Sequence, residues 1–200
     1  MRKKIKSFLL VVVIIVLSVF YAHIDKNTYI YDRNAETDIF YGTGVLETGD
    51  ELTQSFVVEE DTISGVNIKI SYSGDVSNVV LKYVVLDETM NEVSHGAISA
   101  TKLENNKFNN LKFSEINNAK GKCYTLVLSQ EDSDDLNGIG FFIEPHVYQN
   151  QQLTVRGGVV EGTLVTRIVS QGFDLETFIV LLGMVAFIIM FMKVLYKYFK

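Results

Sequence analysis

The sequence contains no tryptophan, one cysteine and one proline among its 200 residues. The single cysteine, Cys123, excludes an internal disulfide, so an exported domain must be held together by its apolar core alone. We expect Cys123 to be a small apolar side chain in a strand rather than a reactive thiol. None of the three histidines lies in a hydrolase or metalloprotease motif. The sequence therefore predicts a protein that is not an enzyme.

Basic residues are scarce in the middle of the chain. Residues 24–174 contain 11 Lys and Arg against 23 Asp and Glu, a net charge of −12, whereas the whole chain has −6. An acidic region of this kind argues against nucleic acid or anionic lipid as a partner. The remaining basic residues collect at the two ends of the chain: Arg2, Lys3, Lys4, Lys6, Lys193, Lys197 and Lys200.

Two apolar segments lie just inside these basic ends. Residues 7–24 are uncharged and reach about 27 Å as a helix, close to the thickness of a bilayer core. The second segment, residues 175–196, is interrupted after Thr177 only by Lys193, whose long side chain can reach the interface. The sequence thus predicts two single transmembrane helices with the lipid bilayer as a partner.

The basic clusters set the expected orientation, because such clusters stay on the cytoplasmic side. We expect a two-pass protein of the plasma membrane, with cytoplasmic tails at residues 1–6 and 197–200 and with residues 24–174 outside. The alternative for the first segment is a cleaved signal peptide. The residues after its apolar core lack the small residue expected three positions before Ala22, which argues against cleavage.

Short β-rich runs separated by Gly, Asn, Asp and Ser fill the middle region. Val66, Ile68 and Ile70 alternate with polar residues, a pattern typical of a half-buried strand. About eight such runs at short spacing, with one proline and no amphipathic helix, predict an antiparallel β-sandwich, specifically a jelly roll. The predicted strands are residues 53–58, 63–72, 78–86, 93–103, 108–113, 122–129, 138–144 and 159–169.

The predicted domain boundaries follow from these patterns. The sandwich ectodomain covers residues 41–172. Residues 25–40 are polar and irregular, so we expect a stalk between the first membrane segment and the sandwich.

One acidic stretch has partial calcium-loop spacing. Counted from Ser133, Asp135, Asn137 and Glu144 fall at the third, fifth and twelfth positions, where oxygen ligands belong. The first position holds Ser instead of Asp, and strands rather than helices flank the segment. A hairpin turn at Asn137-Gly138 is the simpler interpretation, so no cofactor is predicted, with calcium as the alternative.

Asparagine is enriched on both sides of one predicted strand. Asn tolerates the left-handed backbone that turns require, so turns are the expected structure. The alternative is a polar rim that hydrogen-bonds a sugar. The residues are Asn105, Asn106, Asn109, Asn110, Asn117 and Asn118.

Several strand motifs resemble the jelly-roll, carbohydrate-binding-like ectodomains of Gram-positive membrane proteins associated with glycosyltransferases of cell-envelope polysaccharide pathways. The matching segments are residues 54–56, 63–70, 121–128 and 162–167. The chain has no multi-helix catalytic region, so the resemblance implies an accessory protein rather than a transferase. It departs from such modules in having no tryptophan, the strongest stacking platform for sugars.

The resemblance implies a non-enzymatic membrane-anchored accessory whose ectodomain recognises a cell-envelope glycan or a membrane glycosyltransferase. The alternative function is a structural subunit of a multi-protein membrane complex with no ligand of its own. Four tyrosines are candidate aromatic contacts for a sugar, although each also suits a core position. They are Tyr72, Tyr83, Tyr124 and Tyr148.

Overall fold

The structure is a computed structural model that describes residues 2–199, without the side chains of residues 2–8, 10 and 24. Parts of the predicted tails, including Met1, Lys200 and the first basic side chains, therefore lie outside the described residues. Residues 2–199 form two long helices, α1 (Arg2–Ala22) and α2 (Leu175–Tyr198), and thirteen strands. The strands are β1 (His23–Tyr29), β2 (Tyr41–Val45), β3 (Glu51–Val57), β4 (Thr62–Ser73), β5 (Val80–Leu86), β6 (Glu92–Ser99), β7 (Phe108–Asn117), β8 (Cys123–Glu131), β9 (Gly138–Glu144), β10 (Leu153–Val155), β11 (Gly158–Val160), β12 (Thr163–Leu164) and β13 (Thr166–Phe173).

The strands form two mainly antiparallel sheets. The first runs β1–β13–β4–β9–β12, with β2 also beside β9 and β7 also beside β4; the second runs β11–β10–β3–β8–β5–β6. Buried side chains from both sheets belong to one apolar core cluster. Two sheets that share a core in this way form a β-sandwich, as the strand pattern predicted.

The core is built from the alternation seen in the sequence. Val66, Ile68 and Ile70 of β4 are fully buried, whereas Asn67 and Lys69 between them are half-buried on the outer face. Full burial of an aliphatic side chain of this size stabilises the fold by about 1.5–3 kcal/mol. Since the sandwich has no disulfide, this burial is its main source of stability.

Two buried glutamines connect the sheets across this core. Gln130 of β8 donates to Ile139 O at 2.6 Å and accepts from Ile139 N at 2.8 Å. Gln54 of β3 accepts from Leu164 N at 2.9 Å. A buried polar group is tolerated when it is hydrogen-bonded, so the two amides fix the register of one sheet on the other.

The first part of the predicted stalk is a strand of the first sheet. Residues 23–29 form β1 next to β13, and the Asn67 side-chain amide donates to Asn27 Oδ1 at 2.6 Å. Ile30 then enters the apolar core at 6% exposure, and its carbonyl accepts from the Gln151 side chain. The sequence analysis missed this strand because the segment is polar and shows no local alternation. Its pairing is set by residues that are distant in the sequence.

The predicted strand over residues 159–169 divides into β11, β12 and β13. Gly162 lies at the division with φ +147°, and a Cβ there would come within 2.5 Å of Ile143 Cγ2. This backbone conformation favours glycine. The break lets the chain change partners, since β12 pairs with β9 and β13 pairs with β4.

Lys26–Ser170 forms one compact unit, and the chain on either side of it forms a second that contains both helices. The 24 residues of α2 reach about 36 Å, long and apolar enough to span a bilayer, and none of its described side chains is buried. The described apolar stretch of α1, Val11–Ala22, is shorter.

Asp174 caps α2 by accepting from Thr177 N at 3.1 Å, and its own N–H donates to Ala22 O at 2.9 Å. The end of α1 therefore lies beside the start of α2.

Candidate binding cleft

Two of the four candidate tyrosines are core residues. Tyr83 and Tyr124 are 5% and 4% exposed because they occupy inward-facing positions of β5 and β8. The Tyr83 hydroxyl donates to Lys112 O at 2.7 Å, and its ring covers Gly96, where a Cβ would lie 2.4 Å from the ring. The ring of Tyr83 is thus enclosed by protein and has no free face for a sugar.

The other two candidate tyrosines lie in separate environments. Tyr72 is half-buried and packs against the core cluster. Tyr148, in the loop after β9, is half-buried and donates its hydroxyl to Glu144 at 2.9 Å. The four tyrosines therefore do not form one exposed aromatic surface.

The predicted calcium ligands are not brought together. Asn137 precedes β9, and its side-chain amide donates to the Asp134 carboxylate at 3.0 Å in a turn. Glu144 ends the same strand, and seven extended residues separate the two by roughly 23 Å. Asp135 is exposed beside the Asn137 turn. Among residues 2–199, no group of three or more His, Cys, Asp or Glu side chains is placed to hold a metal ion.

Glu144 instead anchors the N-terminal segment to the sheet. Its fully buried carboxyl group accepts from Asp32 N at 3.2 Å and from the Tyr148 hydroxyl, and it lies 2.6 Å from His146 Nδ1. Burial, followed by the hydrogen bond and charge of Glu144, raises the pKa of Tyr148 to about 12. This network has a structural role, because it satisfies a buried carboxyl group and holds the segment after β1.

A cleft opens at the corner where the edge strands β6 and β7 meet. Ser94 of β6 bridges this corner by donating its buried hydroxyl to Ser114 O at 3.2 Å. The cleft has a volume of about 340 Å³. This is near the lower end for ligand sites, about 300 Å³, and suits a small ligand. Its lining comes from the β5–β6 turn, the end of β7 and the start of β8: Asp87, Glu88, Thr89, Val93, Ile116, Asn117, Lys122, Cys123 and Tyr124.

The β5–β6 turn gives the cleft a fixed edge. Asp87 Oδ1 accepts from Thr89 N and from Asn91 N, both at 2.9 Å, and from the Thr89 hydroxyl at 2.7 Å. Met90 completes the turn with φ 63°. These hydrogen bonds, that of the Thr89 hydroxyl first, lower the pKa of Asp87. The cleft edge therefore carries a charged carboxylate at neutral pH on a turn that is already ordered.

Glu88 fastens this turn to β8, because its Oε1 accepts from Cys123 N at 2.9 Å. Burial, and then the charge of Glu88, raises the pKa of the Cys123 thiol. Burial also raises the pKa of Tyr124, with Asp87 and Glu88 adding to the shift. Both groups keep their protons at neutral pH, so the thiol is a poor nucleophile and the phenol is a hydrogen-bond donor.

The cleft thus combines hydrogen-bonding groups with apolar surface. Asp87 and Glu88 offer acceptors, Lys122 offers a donor, and Val93 adds exposed apolar area. Tyr124, whose ring lies in the core with only 4% of the residue exposed, offers its hydroxyl where it borders the cleft. This is the chemistry of a binding site for a small polar ligand. The sequence analysis singled out Tyr124 and Asn117 but missed the rest; the Asp87-Glu88-Thr89 turn between two strand patterns was the available signal.

Comparison with known proteins adds little. No family model matches the chain, and no curated protein matches it. A solved structure, the infectious bursal disease virus VP2 subviral particle, matches with a TM-score of 0.30 and 12% identity, over 74% of this chain and 40% of that chain. The match thus spans less than half the length of that chain, and a likeness at this score supports no conclusion about fold or function.

Proposed function

We propose that the protein is a non-enzymatic, membrane-anchored accessory whose extracytoplasmic sandwich recognises a cell-envelope glycan through the cleft between β6, β7 and β8. The single observation that supports this is the cleft itself, which joins two carboxylates, a lysine and a tyrosine hydroxyl to apolar surface in a volume of about 340 Å³. Sugars present hydroxyl groups to such donors and acceptors and C–H faces to apolar surface.

The membrane arrangement is part of the proposal. Both α1 and α2 cross the bilayer, and both termini are cytoplasmic, in accord with the basic residues at each end of the sequence. The Asp174 N–H to Ala22 O hydrogen bond supports a helical hairpin, because it joins the end of α1 to the start of α2.

The assignment of the sandwich as a jelly roll and the proposed cellular location both rest on the strand motifs. The sandwich is a jelly roll, and the resemblance to carbohydrate-binding-like ectodomains suggests the envelope of a Gram-positive cell. A single shallow site of this size is expected to bind in the micromolar to millimolar range, about −4 to −8 kcal/mol.

The test is binding of the full-length protein, in lipid nanodiscs, to purified envelope polysaccharide. Glu88→Gln keeps the oxygen that accepts from Cys123 N but removes the charge, and Lys122→Gln removes the cleft cation. Each change is expected to weaken binding about tenfold, as the loss of a charged hydrogen bond does. Glu104→Gln and Lys107→Gln are matched controls, because this exposed ion pair lies at the opposite end of β7.

Equal binding by the cleft variants and the wild type would contradict the assignment of the cleft. Release of free sugar from the polysaccharide would contradict a non-enzymatic role. Absence of polysaccharide binding, together with a stoichiometric membrane protein that co-purifies in mild detergent, would replace the proposal with the structural-subunit function; if that partner were a glycosyltransferase, the ectodomain would be its docking module.

A further inference from the structure

Two aliphatic side chains from different strands line the cleft. Val93, at the start of β6, is 39% exposed, and Ile116, near the end of β7, is half-buried. These two residues come from the edges of different sheets and both open into the cleft. A sugar ring has C–H faces that can cover part of this surface, but a hydroxyl group placed against either side chain would lack a hydrogen-bond partner, so an apolar substituent covers them better.

The polar side of the cleft has unused hydrogen-bonding capacity. Glu88 Oε1 accepts from Cys123 N, but within the described residues its Oε2 has no hydrogen-bond partner. The Tyr124 hydroxyl and the Lys122 ammonium likewise have no partner among residues 2–199. An occupant that completes the site therefore needs an N–H for Glu88 and an oxygen acceptor for Tyr124 or Lys122.

From these observations, and resting on the proposed function, we infer that the cleft selects a sugar unit that carries an N-acetyl group. The amide N–H donates to Glu88 Oε2, and the amide carbonyl accepts from Tyr124 or Lys122. The methyl group packs on Val93 and Ile116. An N-acetyl group is the smallest common sugar substituent that supplies a donor, an acceptor and an apolar end together.

Other sugar classes use the cleft less well. An acidic sugar would place its carboxylate near Asp87 and Glu88, and like charges repel. A free amino sugar would pair with these carboxylates but would face Lys122 and leave Val93 and Ile116 uncovered. A plain hexose lacks both the donor and the methyl group.

The test compares monosaccharides on the full-length protein in nanodiscs by ligand-observed NMR titration. The probes are an N-acetylhexosamine, the matching hexose and the matching free amino sugar. The N-acetyl form is expected to bind about tenfold more tightly than the hexose, from one buried methyl group and one added hydrogen bond.

Val93→Thr keeps the side-chain shape while replacing an apolar methyl by a hydroxyl. This variant should bind the N-acetyl sugar about fourfold more weakly and should weaken hexose binding by a smaller factor. Val159→Thr is the matched control, because Val159 is exposed on β11 at the opposite edge of the same sheet. Val93→Ala, which shortens the side chain without adding a polar group, gives a second variant should threonine disturb β6.

The outcomes separate the two proposals. Hexose or free amino sugar binding as tightly as the N-acetyl form would overturn the selectivity, while cleft-dependent polysaccharide binding would still support the proposed function. Equal losses for all sugars in Val93→Thr would also overturn it. Failure of every sugar and of the polysaccharide to bind would remove the proposed function itself.

Discussion

Replacing Tyr148 by Phe removes one hydroxyl group and tests the network that holds the N-terminal segment on the sandwich. That hydroxyl donates to the fully buried Glu144 carboxyl group at 2.9 Å and accepts from Asp32 N at 3.1 Å. A hydrogen bond to a carboxylate contributes about 1.5–3 kcal/mol, and the variant leaves Glu144 with one donor fewer. We therefore expect Tyr148→Phe to lower the free energy of unfolding by about 2 kcal/mol.

Two other tyrosines provide graded controls. Tyr83→Phe removes a neutral hydrogen bond to Lys112 O, so it should cost about 1 kcal/mol. Tyr72→Phe should cost less than about 0.5 kcal/mol, since within residues 2–199 the Tyr72 hydroxyl has no hydrogen-bond partner. The assay is urea unfolding followed by near-ultraviolet circular dichroism, where tyrosine dominates because the chain has no tryptophan. Equal costs for Tyr148→Phe and Tyr72→Phe would refute the role of the network.

The same hydroxyl predicts a dependence on alkaline pH. Its pKa rises from 10.0 to about 12 on folding, mainly through burial and then through Glu144, so the unfolded state loses this proton first. The stability from Tyr148 is fully present below about pH 10 and is lost as the pH rises through about 12. Between these values the wild type should lose stability more steeply than Tyr148→Phe; parallel curves would contradict the cause given for the shift.

Three further predictions concern the fold. A fragment of residues 26–170 should unfold cooperatively, whereas residues 41–172 should melt at a lower temperature or aggregate, because they lack β1 and the buried Ile30; equal thermal melts would refute this. Gln130→Met should cost about 1–3 kcal/mol in urea unfolding, because Ile139 N loses its acceptor in the core, and a neutral result would contradict the inter-sheet role. Gly162→Ala should lower the free energy of unfolding by more than about 2 kcal/mol. Gly158→Ala should lower it little, because its added Cβ would lie 3.5 Å from its nearest neighbour. Similar costs for the two variants would argue against the strained turn at Gly162.

The main strands could be predicted because alternate side chains along them are buried, which gives the sequence a two-residue hydrophobic period. Residues 63–72 and 138–144 correspond closely to β4 and β9. The strands that the sequence analysis missed have another origin. β1 is rich in polar residues, β2 contains two glycines, and β10 is a three-residue strand, so their positions depend on partners far away in the chain: β13 for β1, β9 for β2 and β3 for β10.

The cleft could not be predicted from the sequence for a similar reason. Its residues occur in three short groups between positions 87 and 124, and pairing of β5 with β8 brings the first group next to the last. The tyrosines were misleading because an aromatic side chain in a strand suits a core and a sugar platform equally well in sequence. Only their inward positions on β5 and β8 identify Tyr83 and Tyr124 as buried.

Cys123 gives the most direct measurement of the central claim. It is the only cysteine of the chain and lines the cleft. At alkaline pH, where the thiolate forms despite its raised pKa, its rate of alkylation by iodoacetamide reports on occupancy without an engineered label. With the full-length protein in nanodiscs, half-saturating envelope polysaccharide should reduce this rate by about half, since a bound sugar unit covers the thiol. A Cys123→Ser variant that also carries Val159→Cys should show no protection. Polysaccharide that binds the protein while the alkylation rate of Cys123 stays unchanged would contradict recognition through the cleft.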